Sequence, residues 1–189
     1  MKKTALVAAA ALLLSCNTFA DEYLVDTQGA HASINFRIPH LGYSMMVGRF
    51  NQFSGYFSYD PSKPEASKIS VTVDTSSLDS NHAERDKHLR SDDFLDVKIY
   101  PEATFTSTSV RDLGNDTLQV VGDLTLHGST KSITIDAVKI GEGKDPWGGY
   151  RVGFSGTTTL KLTDFGIPER LGPASTEVEL DLHIEGIRQ

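Results

Sequence analysis

Only one cysteine, Cys16, occurs in 189 residues, and it sits in the N-terminal segment. A disulfide framework, a thiol nucleophile and a cysteine-ligated metal are therefore excluded from everything that follows it. Basic charge is scarce as well. Eighteen Lys and Arg against 25 Asp and Glu give a formal net charge of −7, which becomes −9 if Lys2 and Lys3 leave with a leader (−7 − 2). Such a chain has little with which to neutralise a phosphate backbone, so nucleic acid is not expected as a partner, and attraction to anionic membranes is disfavoured. The apolar run at residues 5–14 is half the ~20 residues that a helical membrane span requires. A G-x-S-x-G nucleophile elbow and a phosphate-cradling glycine loop are missing too, as are internal repeats and low-complexity linkers.

What is present begins with a three-part leader. Two lysines, an apolar core and small residues up to Ala20 read as a secretory signal peptide at residues 1–20, cleaved after Ala20 to leave a single domain at 21–189. A second reading uses Leu13, Leu14, Ser15 and Cys16 as a lipoprotein box, with the chain anchored at Cys16. The first reading places the protein in the periplasm. About 170 residues without disulfides can bury roughly 70% of their extended-chain surface in one domain, enough to hold a fold by its core alone.

Period-two alternation dominates that domain. Ala32, Ile34, Phe36 and Ile38 alternate with polar residues, as do Phe53, Gly55, Phe57 and Tyr59, and Ile69, Val71 and Val73. Val178, Leu180, Leu182 and Ile184 make the cleanest strand. Further strands are expected at 103–110, 118–126, 132–140 and 149–162. Turn chemistry punctuates them at 60–64, at His127-Gly128-Ser129 and at 141–146. An antiparallel, all-β domain follows, and an eight-stranded barrel is the closed form that fits. Its inward positions are rich in aromatics, which serve equally as a filled core or as the lining of a ligand cavity. Residues 39–46 (PHLGYSMM) are expected to form a short helix or lid.

The densest chemistry lies at residues 79–95, DSNHAERDKHLRSDDFL. A helix is expected over 80–95, capped by Asn81 with Glu84 reaching back. His82 and Asp86 share a face at i, i+4, but no third ligand follows at a metal-binding spacing, so no metal is expected. His82 or His88 beside Glu84, Asp86 or Asp92 would be capable of acid–base work. Glu84–His88 and Asp86–Arg90 would instead pair at i, i+4 and pin the helix over a barrel mouth. Arg85 and Arg90 could there face an anionic ligand head.

The run NHAERDKHLRSDDFLD (81–96), followed by YPEATFTSTSV (100–110), resembles the central signature of the YceI-like family of bacterial periplasmic proteins. HASINFRIPHLGYS (31–44), GDLTLHGSTKSITI (122–135), DPWGGYRVGF (145–154) and LGPASTEVELDLHIEG (171–186) are similar to family segments in the same order. The resemblance implies a lipocalin-like barrel that binds long polyisoprenoid chains such as prenyl diphosphates or isoprenoid quinones, without a cofactor and without catalysis. On strand parity, Phe36, Phe57, Phe105 and Phe154 would line the pocket, with Tyr43, Met46 and Phe50 near its entrance. Transient membrane docking and a dimer formed through a free strand edge would fit such a carrier. Two other functions stay open on the residues: a hydrolase or isomerase working through His82 and His88, and a stress-related protein with a solid core.

Overall fold

A computed structural model describes residues 20–189, so the expected leader lies outside the described residues. Eleven strands run in the order β1 (Asp21–Val25), β2 (Ser33–His40), β3 (Ser44–Phe50), β4 (Phe53–Tyr59), β5 (Lys68–Asp74), β6 (Leu78–Asp79), β7 (Glu102–Gly114), β8 (Thr117–Leu126), β9 (Ser129–Lys144), β10 (Tyr150–Lys161) and β11 (Glu177–Arg188). All pairings are antiparallel, and β1 closes the ring by bonding to both β4 and β11.

The eleven strands occupy eight positions around the barrel, because three positions are filled by broken strands. Along β11, residues 186–188 pair with β1 and residues 179–183 with β2, so β1 and β2 are one strand interrupted at 26–32. β3 and β4 likewise form one course, pairing with β2 and β1 respectively. β5 and β6 form the third, pairing with β4 and β3. Closure removes the free edges that an open sheet would expose.

Local chemistry sets the turns. His127 and Gly128 both have positive φ, of 50° and 72°, between the paired Leu126 and Ser129. That is the mirror-image two-residue turn whose twist matches the flanking strands. The reversal expected at 141–146 falls later: β9 continues to Lys144, and Asp145 turns the chain by accepting from the N–H groups of Trp147 and Gly149.

Two expectations are corrected. Residues 39–46 are neither helix nor separate lid but the tip of the β2–β3 hairpin, because Ile38, Pro39 and His40 pair across to Met46, Met45 and Ser44. The helix in the charged run, α1, covers only Ala83–Leu89 and is capped by His82, whose Nδ1 accepts from the Arg85 N–H at 3.2 Å. Asn81 instead takes a left-handed φ of 61° before it. After Leu89 the chain leaves the helix because Leu95 N–H returns to Leu89 O and Ser91 O accepts from Phe94 and Asp96.

The expected acid–base pairs along α1 do not form either. The buried Asp86 carboxylate accepts from the N–H and hydroxyl of Ser80, and His88 Nε2 lies 3.2 Å from Asp93 instead. A seven-residue helix is too short to be stable alone. Asp86 fastens it to the chain that enters it, and Leu89 packs on the barrel core.

Candidate functional site

The barrel interior holds two apolar chambers rather than a filled core. The first has a volume of about 180 Å³ and is walled by residues of β4, β5 and β7–β11, including Phe57, Phe105, Phe154 and Ile184. The second, of about 160 Å³, lies beneath α1 and includes Phe36, Met46, Phe50, Leu89, Phe94 and Leu95. Ile34, Val73, Leu124 and Leu180 line both, so the chambers meet at a shared neck. Polar interruptions are few: Ser58, Tyr59, Ser67 and Thr158 in the first, Ser175 and Arg170 in the second.

Glycine explains why rings so large leave space. At Gly48, Gly122 and Gly186 an added Cβ would fall inside van der Waals contact with the rings of Phe36, Phe105 and Phe57 respectively. Phe36 and Phe105 therefore lie down over a glycine on the adjacent strand, and Phe57 reaches across β1 to Gly186, instead of projecting into the lumen. Gly122→Ala is expected to destabilise the barrel by about 1–3 kcal/mol through this overpacking, read as a lower urea midpoint at unchanged slope. A midpoint equal to wild type would contradict the packing described.

Beside the first chamber Tyr23 is buried and stacked on Phe57 at 5.1 Å between centroids, with Tyr59 edge-on to Phe154 at 5.2 Å. Burial pushes the Tyr23 phenol up to about 12, so it stays neutral across the physiological range. At the other chamber, Pro168 and Arg170 both line the wall and are both exposed. The cavity therefore reaches the surface between α1 with its following turn and the loop at 166–175. The β2–β3 tip adjoins this mouth, since Leu41 N–H donates to Ser175 Oγ, which itself donates to Pro39 O.

The residues named from strand parity separate cleanly. Phe57, Phe105 and Phe154 line the first chamber, and Phe36, Met46 and Phe50 line the second. Tyr43 lines neither and is 88% exposed at the hairpin tip. Arg85 and Arg90 also lie outside both linings. Arg85 donates to Ser80 Oγ and O at 2.7 and 2.6 Å, and Arg90 to the carbonyls of Asp86 and Ser76 at 3.0 and 2.9 Å. These guanidiniums satisfy backbone acceptors around α1, which strand or helix parity does not reveal. His82 and His88 are exposed and outside the chambers. Arg170 is the charged side chain that sequence reasoning missed.

Away from the lumen, Asp26, His31 and Glu185 bring three donor atoms within 4.8 Å of one another. Arg151 already supplies the cation there: its Nη1 lies 2.6 Å from Asp26 Oδ2 and 2.5 Å from Glu185 Oε1, and its Nε 2.8 Å from Asp145. The Arg151–Asp26 bond, then the one with His31, holds the Asp26 carboxyl down at about 2. The group ties the break between β1 and β2 to β10 and β11.

A closed antiparallel barrel with two adjoining apolar chambers and a short helix beside its mouth defines a lipocalin-like protein. Residues 23–186 match the family described as YceI-like domain, and the chain belongs to that family. It is 59% identical to a UPF0312 protein of Shewanella baltica over the full length of both chains. Among solved structures it is similar to the YceI protein of Campylobacter jejuni, at 30% identity and a TM-score of 0.73, covering 77% of this chain and 86% of that one. BcnA of Burkholderia cenocepacia superposes with a TM-score of 0.76 at 23% identity, over 85% of this chain and 98% of that one. A domain of Saccharophagus degradans described as polyisoprenoid binding has the same fold, at a TM-score of 0.63 and 17% identity, over 88% and 98%.

Proposed function

We propose that this protein is a periplasmic carrier that holds one long isoprenoid lipid in its lumen. The observation that carries this reading is the pair of apolar chambers joined at Ile34, Val73, Leu124 and Leu180. Their walls are apolar and offer almost no hydrogen bonds, which suits a branched hydrocarbon tail. Each square ångström of tail buried contributes about 25 cal/mol, and a preformed lumen spares the ordering cost of building a site. The Saccharophagus degradans domain, described as polyisoprenoid binding, supports the ligand class through shared architecture. Binding rather than catalysis fits the same walls, because His82 and His88 stand outside them.

Organic extraction of the gently purified protein followed by mass spectrometry tests the reading. A prenyl lipid in near-stoichiometric amount is expected. A lipid-free protein that also takes up no added prenyl lipid would sink it. Export rests on the N-terminal segment and is tested by sequencing the mature N-terminus: Asp21 is expected, and a lipidated Cys16 would replace soluble export by anchoring.

Loading requires contact with the bilayer in which such lipids reside. The β2–β3 tip presents exposed Leu41, Tyr43, Met45 and Val47 beside the mouth, and the acidic chain makes apolar insertion a better docking force than charge. Replacing Tyr43 and Val47 by serine is expected to slow lipid transfer from neutral vesicles several-fold without altering affinity. An unchanged transfer rate would remove the tip from the loading path.

A further inference from the structure

Resting on the isoprenoid reading, a narrower inference concerns the lipid's head. We propose that Arg170 selects an anionic, phosphate-bearing head over a neutral one at the mouth of the lumen. Among the described residues, Arg170 is the one charged side chain in the walls of either chamber. An ionised group in an apolar wall is costly unless it reaches water or a partner. Arg170 does both, being more than half exposed with Nη2 3.2 Å from Asp93 Oδ1.

That single contact leaves most of the guanidinium's donors free, arranged in the planar fork that grips phosphate oxygens two at a time. A tail entering this lumen from the mouth leaves its polar end beside Arg170. A prenol hydroxyl or a quinone carbonyl could accept one neutral hydrogen bond there, whereas a phosphate would take a charge-assisted pair. The cations of α1 and its cap do not line the chambers: Arg85 and Arg90 are engaged by Ser80, Asp86 and Ser76, and Lys87 is exposed outside both walls.

Asp93 is the counterweight. It is shared between Arg170 and His88, whose Nε2 lies 3.2 Å away. The carboxylate holds Arg170 in place while the mouth is empty, and it opposes the approach of a phosphate. Removing it should therefore act in the opposite direction to removing the arginine. The loop carrying Arg170 runs between Gly166 and Gly172, both with left-handed φ, so the fork is presented from a defined turn rather than from an extended strand.

The test compares octaprenyl phosphate with octaprenol, which share a tail and differ in the head, on the full mature protein by native mass spectrometry. Wild type is expected to bind the phosphate about tenfold more tightly. Arg170→Gln should abolish that preference by weakening the phosphate alone, and Asp93→Asn should strengthen the phosphate alone. Equal binding of the two lipids by wild type, or an Arg170→Gln loss shared by both, would overturn head selection while leaving the carrier reading intact. If neither lipid binds, the isoprenoid reading fails and this inference fails with it.

Discussion

Val73→Phe is expected to lower affinity for a long prenyl chain about a hundredfold while the barrel remains folded. Val73 stands at the neck with Ile34, Leu124 and Leu180, touching both chambers. A phenyl ring there closes the passage, so a tail can fill only one chamber and forfeits the apolar burial of the other. Overpacking a tight core costs about 1–3 kcal/mol, but the ring has the neck's own void to enter. Its urea midpoint should therefore stay near that of wild type. Short prenyl chains that occupy a single chamber provide the internal control, because their affinity should change little. Titration of the variant with long and short prenyl phosphates checks this. Undiminished long-chain binding would show that the chambers are not used as one lumen.

Arg151→Met carries the largest expected effect on stability, a loss of about 3 kcal/mol, since removing one partner of a buried ion pair strands the other. Asp26 and Asp145 would both lose their cation, as would the half-buried Glu185. The pH dependence has a definite sign. Asp26 is held below its ordinary value of 3.8, at about 2, so the native state favours its ionised form. Its contribution is complete above about 3.8 and is lost as pH falls toward about 2. Wild type should therefore lose stability across that acidic window, whereas Arg151→Met should be weaker at neutrality and lose less on acidification. Urea unfolding at neutral and acidic pH reads both effects. Equal midpoints for the two proteins at neutrality would mean the cluster is ornamental.

Alternation made most of the barrel legible. The clean period two of β11 and of β2 named their inward faces correctly, and six of the seven proposed pocket residues line a chamber. Tyr43, expected near the entrance, stands exposed at the β2–β3 tip beside the mouth and lines neither chamber, because it falls in the turn between the paired His40 and Ser44. The broken courses were not legible. The break at 26–32 is held by Arg151, more than a hundred residues away, and no local pattern announces such a contact.

The open lumen was likewise hidden, because it depends on which glycine faces which phenylalanine across strands. Gly122 under Phe105 is a consequence of register, not of spacing. The charged run misled for a related reason. Its arginines look like free cations in sequence, yet the short α1 leaves nearby carbonyls that Arg85 and Arg90 satisfy. Arg170 was passed over because only the closed barrel brings its loop against Asp93.

A crystal structure of the mature protein saturated with octaprenyl phosphate tests the central claim most directly. The account predicts one continuous chain of density running from the mouth beside Arg170, past Val73 and Leu124, into the chamber walled by Phe57, Phe105 and Phe154. Lipid bound on the outer surface, with side chains closing both chambers, would contradict it.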